Sequence, residues 1–112
     1  MITCSCCFVF STRAKILSMD ISKALEAPGV VAIFTAKDIP GSRYIGHLAK
    51  DWPGMIDVGE ETKCIGDTLA MVVAKTKEEA LNARTLIEVE YEVLEPIRTM
   101  DEAAAKDAYL IH

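Results

Sequence analysis

The sequence has few of the residues on which most catalytic and binding functions depend. It contains only two histidines, and its 12 lysines and arginines form no cluster, while 17 acidic residues give a formal net charge of −5. Nucleic acid and anionic membranes are therefore poor partners. No Ser-His-Asp or Cys-His set stands out, and the scattered glycines lack the spacing of a phosphate-binding loop. The sequence alone predicts no catalytic, cofactor-binding or metal-binding residue.

The four cysteines, Cys4, Cys6, Cys7 and Cys64, do not form a recognisable site. Zinc and iron–sulfur centres usually take their ligands from two separated pairs, whereas Cys-x-x-Cys occurs here once, with no histidine near it. An even number of cysteines predicts disulfides only in a secretory context. We expect reduced thiols in a cytoplasmic protein, with Cys64 as a small core residue.

The first ten residues are apolar but too short to span a bilayer. The basic residues Arg13 and Lys15 follow this run instead of preceding it, so the pattern does not indicate a signal peptide. We therefore expect neither export nor a membrane anchor. Residues 1–12 are treated as an apolar, Cys-rich leader, and residues 13–112 as one domain.

The remaining composition is that of one small globular domain. A chain of 112 residues can bury one modest core, and 51% hydrophobic residues exclude wholesale disorder.

Turn signals divide the first half of the chain into short elements. The pattern predicts a strand at 14–19, a helix at 23–27 capped by Ser22, a buried strand at 30–35 and a capped turn at 35–38.

The middle of the chain, residues 41–63, has no periodicity. It contains His47, expected to be solvated, and the single tryptophan, Trp52. A structureless stretch of this length is unusual inside a compact domain. Two interpretations stay open: a loop that contacts a partner, or a mobile surface loop with Trp52 half-buried.

The second half repeats the order of the first. A buried strand is predicted at 69–74, followed by a helix whose capping box joins Thr76 and Glu79. The next strand, 87–93, alternates, so Val89, Tyr91 and Val93 should face a core while its glutamates face water. A second capping box, Thr99 with Glu102, should open a short helix through 105. The two units, 14–40 and 69–105, predict an α+β sandwich with the helices on one face of a mixed sheet.

The order of these segments resembles the amino-terminal hammerhead domain of molybdenum hydroxylases, the xanthine dehydrogenase and aldehyde oxidase family. The resemblance lies in Ala14–Asp20, Ala27–Gly41, Ile65–Ala74, Glu78–Ala80 and Ile87–Pro96, and in the closing Leu110-Ile111-His112. Two places depart from the pattern. Val9–Ala14 stands where the family usually reads Ser-Pro-His-Ala-His-Ala, and Asp67-Thr68 replaces a Gln-Pro or Glu-Pro pair.

The resemblance implies an enzyme that hydroxylates purines, related N-heterocycles or aldehydes with oxygen from water. It also implies a molybdenum–pterin centre, iron–sulfur clusters and flavin, all held outside this chain. The residues that bind the pterin and the catalytic glutamate belong to a longer segment that follows the domain in the family. We therefore expect a fragment or split subunit that is not catalytic alone and whose partner is the molybdopterin-binding domain or subunit.

Two alternatives remain at this point. A stand-alone regulatory module with a ferredoxin-like βαββαβ sandwich would bind a small ligand. A homo-oligomer would instead hide a bare apolar surface between copies. His112, at the terminus, is expected to be solvated in each case.

Overall fold

The fold is described for residues 1–110 of a computed structural model. It contains seven strands and three short helices, and a single 3-10 turn at Ala36–Asp38. The elements are β1 (Thr3–Phe8), β2 (Ala14–Asp20), α1 (Ser22–Leu25), β3 (Val30–Thr35), β4 (Tyr44–Ile45), β5 (Trp52–Pro53), β6 (Thr68–Ala74), α2 (Lys77–Thr85), β7 (Glu88–Val93) and α3 (Met100–Ala103). This combination confirms the predicted α+β class. Of the closing residues quoted for the resemblance, Ile111 and His112 lie outside the described part.

The strands form three sheets: a three-stranded sheet in the order β1-β6-β3, and the two-stranded ribbons β2–β7 and β4–β5. The repeated units explain this division, because the inner strands β3 and β6 pair with each other and so do the outer strands β2 and β7. Every strand pair within residues 1–110 is antiparallel. The strands thus do not share one mixed sheet, and the described residues lack the four-stranded sheet of the ferredoxin-like alternative.

Helices α1 and α2 pack on one face of the three-stranded sheet, as predicted. Ala24 of α1 and Ala83 of α2 lie in one buried cluster with Val72 of the central strand. Alanine allows a helix to approach a sheet closely, because it adds only one methyl group between the two backbones. The other buried members of this cluster are Cys7, Ile33, Ala70 and Ile87.

A second buried cluster joins the β2–β7 ribbon to one end of the sheet. Ile16 of β2 meets Leu69 of β6 there, and Ile56 from the middle region closes the cluster. Met19 and Val89 contact both clusters. The ribbon and the sheet therefore share one continuous apolar interior.

The segment 1–12, predicted to be an apolar, Cys-rich leader, contains β1. Residues 3–8 pair with β6 along their whole length, and Cys7 is buried beneath α2. Sequence reasoning missed this strand because cysteine and serine carry little strand preference and because its partner lies far along the chain.

Two strands are more exposed than predicted. β3 was expected to be fully buried, but it lies at the sheet edge and leaves Val31 54% and Phe34 43% exposed. On β7, Tyr91 is 42% and Val93 67% exposed, so only Val89 reaches the core as predicted. Within residues 1–110, β7 pairs with β2 alone, and of these three apolar side chains only Val89 packs against the buried clusters.

The predicted capping boxes are confirmed at Thr76 with Glu79 and at Thr99 with Glu102. The helix after the second box ends at Ala103, before the predicted residue 105. The predicted cap at Ser22 is wrong, because α1 begins at Ser22 itself. There the carboxylate of Asp20 accepts the Ser22 backbone N–H at 2.8 Å.

Candidate functional site

The thiols do not converge on a common point. Cys7 faces the helices, while alternation along β1 places Cys4 and Cys6 on the opposite face of the sheet. Within residues 1–110, no group of three or more His, Cys, Asp or Glu side chains could hold a metal ion. An iron–sulfur cluster, which needs four converging thiolates, does not fit this arrangement.

Cys64 is exposed, which corrects its assignment as a core residue. Its thiol donates to the carboxylate of Asp67 at 3.3 Å. Partial burial, together with this carboxylate, raises the pKa of the Cys64 thiol, and burial also raises the pKa of Cys7. Both shifts favour the neutral thiol over the nucleophilic thiolate. His47 is exposed, and His112 lies outside the described residues.

The second half of the middle region is fixed to the domain. Ala14 and Thr62 exchange hydrogen bonds, since the Thr62 N–H donates to the Ala14 carbonyl at 2.8 Å and the Thr62 hydroxyl accepts the Ala14 N–H at 2.9 Å. Ile16 makes two more backbone bonds, to Gly59 and Glu60. This part of the loop runs along β2 like an additional strand. A partner contact at the half-buried Trp52 stays a prediction.

Arg43 links the beginning of the middle region, residues 41–63, to its second half. Its guanidinium donates two hydrogen bonds to the Glu60 carboxylate, both at 2.6 Å, and a third to the Met55 carbonyl at 2.9 Å. The Glu60 carboxylate also accepts the Asp57 N–H. The hydrogen bonds from Arg43 hold the pKa of Glu60 below its ordinary value of 4.5.

We expect this pair to make stability depend on acid pH. A carboxylate with a lowered pKa in the folded chain stabilises the fold above its ordinary pKa, and this stabilisation is lost as pH falls through the folded value. Glu60→Gln should therefore reduce the loss of unfolding free energy as the pH falls below about 4.5, measured by urea unfolding. The exposed Glu92→Gln serves as the control. An equal pH dependence in Glu60→Gln and wild type would contradict this role.

Arg13 connects four separate segments at a surface groove. Its Nε and Nη2 atoms donate to the Glu61 carboxylate at 3.2 and 3.1 Å, and Nη1 donates to the Glu95 carbonyl at 3.2 Å. The Tyr109 ring stacks on the guanidinium, with 3.8 Å between the guanidinium carbon and the ring centre. The groove has a volume of about 320 Å³, and Thr12, Thr62, Lys63, Cys64, Ile65, Pro96 and Ile97 also line it.

The groove does not fit a pterin cofactor. Each of the three nitrogen atoms of Arg13 already donates a hydrogen bond to a protein group, so three of the five N–H groups of the guanidinium are in use. Ile65, Pro96 and Ile97 form an apolar wall of the groove. The ammonium of Lys63, which also lines it, lies 5.5 Å from the centre of the Trp52 ring. A pterin phosphate in this groove would have to compete with the Glu61 carboxylate for Arg13, and that carboxylate would also repel it.

The Arg13 stack should restrain the chain after α3. Arg13→Ala removes the partner of Tyr109, and a stacked cation–π pair of this kind contributes about 0.5–1 kcal/mol. We therefore expect cleavage of residues 99–110 by a nonspecific protease to become about two- to fivefold faster. Arg13→Lys keeps the charge and should show a smaller increase. Unchanged cleavage in Arg13→Ala would show that Tyr109 is not restrained by this contact.

One face of the three-stranded sheet carries no helix from residues 1–110, and we call it the back face. Pairing across the strands aligns its side chains in two rows, Cys4–Val73–Ala32 and Cys6–Met71–Phe34. All six side chains are apolar or thiol-bearing. Cys4 and Phe34 are exposed and the other four are half-buried. At the end of this face, Leu69 is covered by the second buried cluster.

No helix among the described residues is long and apolar enough to cross a membrane.

The family model described as aldehyde oxidase and xanthine dehydrogenase, a/b hammerhead domain, matches residues 2–95. Probable hypoxanthine oxidase XdhD of Escherichia coli O157:H7 is 42% identical over 104 residues, which are 89% of this chain and 11% of that protein. The large molybdopterin subunit of nicotinate dehydrogenase from Eubacterium barkeri is 38% identical over 100 residues, 89% of this chain and 23% of the subunit.

Solved structures of such enzymes contain the same fold. Aldehyde oxidoreductase from Desulfovibrio gigas matches 99% of this chain with a TM-score of 0.88 at 29% identity, and the match covers 13% of that enzyme's chain. Reconstituted CO dehydrogenase from Oligotropha carboxidovorans matches 96% of this chain with a TM-score of 0.85 at 33% identity, again over 13% of its chain. This chain therefore spans a small part of the length of its relatives. It belongs to the aldehyde oxidase and xanthine dehydrogenase family, as an a/b hammerhead domain.

Proposed function

We propose that this chain is a scaffold domain of a molybdenum hydroxylase and that the reaction takes place on polypeptide outside it. The match to 11% of a probable hypoxanthine oxidase and to 13% of an aldehyde oxidoreductase carries this proposal, because most of each enzyme lies elsewhere. The parent enzyme would oxidise a purine, a related N-heterocycle or an aldehyde with water as the oxygen source. Its molybdenum–pterin, iron–sulfur and flavin groups would be held by the other segments.

The names of the relatives support a structural role. Hypoxanthine, nicotinate, aldehydes and CO appear in the names of proteins that share this fold. Substrate specificity depends on the shape and the polar groups of one pocket. A domain that is common to enzymes with such different substrates is therefore not expected to determine which substrate binds. The partner would be the molybdopterin-binding domain or subunit of the same enzyme. The free cysteines fit a reducing compartment, so a cytoplasmic location is part of the proposal.

The isolated chain should be inert. Hydroxylation with oxygen from water removes two electrons from the substrate, and amino-acid side chains do not accept them without a redox group. Hypoxanthine, nicotinate and an aldehyde, each supplied with an artificial electron acceptor, should show no turnover above the rate without protein. Turnover by the purified, metal-free chain would refute the proposal.

A further inference from the structure

The strands of this chain differ in how their apolar residues are arranged. β7 alternates valine or tyrosine with glutamate, the pattern of a strand with one wet face. In β6, every residue from Leu69 to Ala74 is apolar, the pattern of a strand buried on both faces. Helices α1 and α2 cover only one of the two faces of β6. The sequence of β6 is therefore suited to a second covering layer, which residues 1–110 supply over Leu69 but only in part over Met71 and Val73.

The neighbours of β6 continue the same apolar surface. Both rows of the back face run without a charged or amide side chain from β1 across β6 to β3. Phe34 is 43% exposed at the outer edge of this surface. Permanent interfaces are apolar at their centre and depleted in charge, as this face is.

From this pattern we infer that the back face docks onto an apolar surface of the catalytic segment of the same enzyme. The inference rests on the proposed function. With strands about 4.8 Å apart and alternate residues about 6.8 Å apart, the two rows cover about 200 Å². A free dimer needs about 800 Å² from each partner, so this face is too small to hold a second copy by itself. A segment joined to the domain or assembled with it has a high effective concentration and can use a small face.

The test uses the thiol of Cys4, which lies in the first row and is exposed in this chain. We would replace the matching segment of the probable hypoxanthine oxidase XdhD of Escherichia coli by this chain. Cys4 would then be labelled with N-ethylmaleimide in the purified, molybdenum-loaded chimera and in the isolated chain. We expect Cys4 to react about tenfold more slowly in the chimera, because a covered thiol reacts only after local opening. Unfolding the chimera in guanidinium should restore the faster rate.

A matched pair of substitutions tests the same face independently. Phe34→Asp places a charge on the back face and should lower the yield of molybdenum-loaded chimera about tenfold. Leu81→Asp places the same charge on α2, where Leu81 is 38% exposed, and should leave the yield within about twofold. If Phe34→Asp impairs folding, the labelling of Cys4 in the chain without substitutions still tests whether the back face is covered.

The outcomes separate the two proposals. A chimera that binds no molybdenum, either unsubstituted or with Phe34→Asp, counts against the proposed function. A loaded chimera in which Cys4 reacts as fast as in the isolated chain overturns the docking assignment alone. Protection of Cys4 in the isolated chain that increases with protein concentration assigns the face to a second copy, and also overturns it.

Discussion

Leu69→Ala should lower the free energy of unfolding by about 2–5 kcal/mol, as large-to-small changes in a packed core do. Leu69 is 1% exposed and lies where β6 meets the second buried cluster. Its neighbours Ile16 and Ile56 come from the ribbon and from the middle loop, so both are held in place by their own backbones. They cannot easily close the cavity that the substitution leaves. Urea unfolding followed by circular dichroism measures the loss.

The matched control is Leu81→Ala. Leu81 is a leucine of α2 that is 38% exposed, and alanine is a good helix former. This variant should stay within about 0.5 kcal/mol of wild type. Equal losses at the two positions would contradict the description of the core. A domain of this size has only about 5–15 kcal/mol of stability, so the expected loss at Leu69 is severe.

Gly29→Ala should be nearly as damaging, for a reason of backbone geometry. Gly29 has φ of +79°, a conformation that costs a residue with a Cβ about 1–2 kcal/mol. An added Cβ would also lie 2.1 Å from the carboxyl carbon of Glu79. The Glu79 carboxylate accepts the Thr76 N–H at 3.0 Å at the start of α2, and losing such a cap costs about 1 kcal/mol. We expect a total loss of about 2–3 kcal/mol, measured by thermal unfolding.

Two further variants isolate the causes. Gly41 has ordinary φ and nothing within 4 Å of an added Cβ, so Gly41→Ala should change stability by less than about 0.5 kcal/mol. The double variant Gly29→Ala with Glu79→Ala should lose less than the sum of the single losses, because both disturb the same cap. Equal, small losses of unfolding free energy in Gly29→Ala and Gly41→Ala would contradict the close contact between Gly29 and the Glu79 carboxylate.

The features that sequence predicted well are those decided within a few residues. The capping boxes at Thr76 and Thr99 depend on a side chain and a backbone group three positions apart, so their pattern is visible in the sequence. The same is true of β6, whose run of apolar residues needs no partner to be recognised. Ser22 is not the cap because the helix already begins at Ser22, where the Asp20 carboxylate accepts its N–H.

The features that sequence did not predict depend on pairing over long distances. β1 becomes a strand through β6, and β3 becomes an edge because nothing pairs with its other side within residues 1–110. Cys64 looked like a core residue from its apolar neighbours, yet the turn at Gly66 directs this stretch to the surface. The back face could not be found from one strand, because its rows exist only once the register of three strands is known.

The catalytic turnover of the hypoxanthine oxidase chimera tests the central claim most directly. If this chain is a scaffold, the chimera should bind molybdenum and keep both the activity and the substrate preference of the unmodified host enzyme. The contradicting result is a molybdenum-loaded chimera whose preference among hypoxanthine, nicotinate and aldehydes differs from that of the host enzyme. It would show that this domain contributes to substrate specificity.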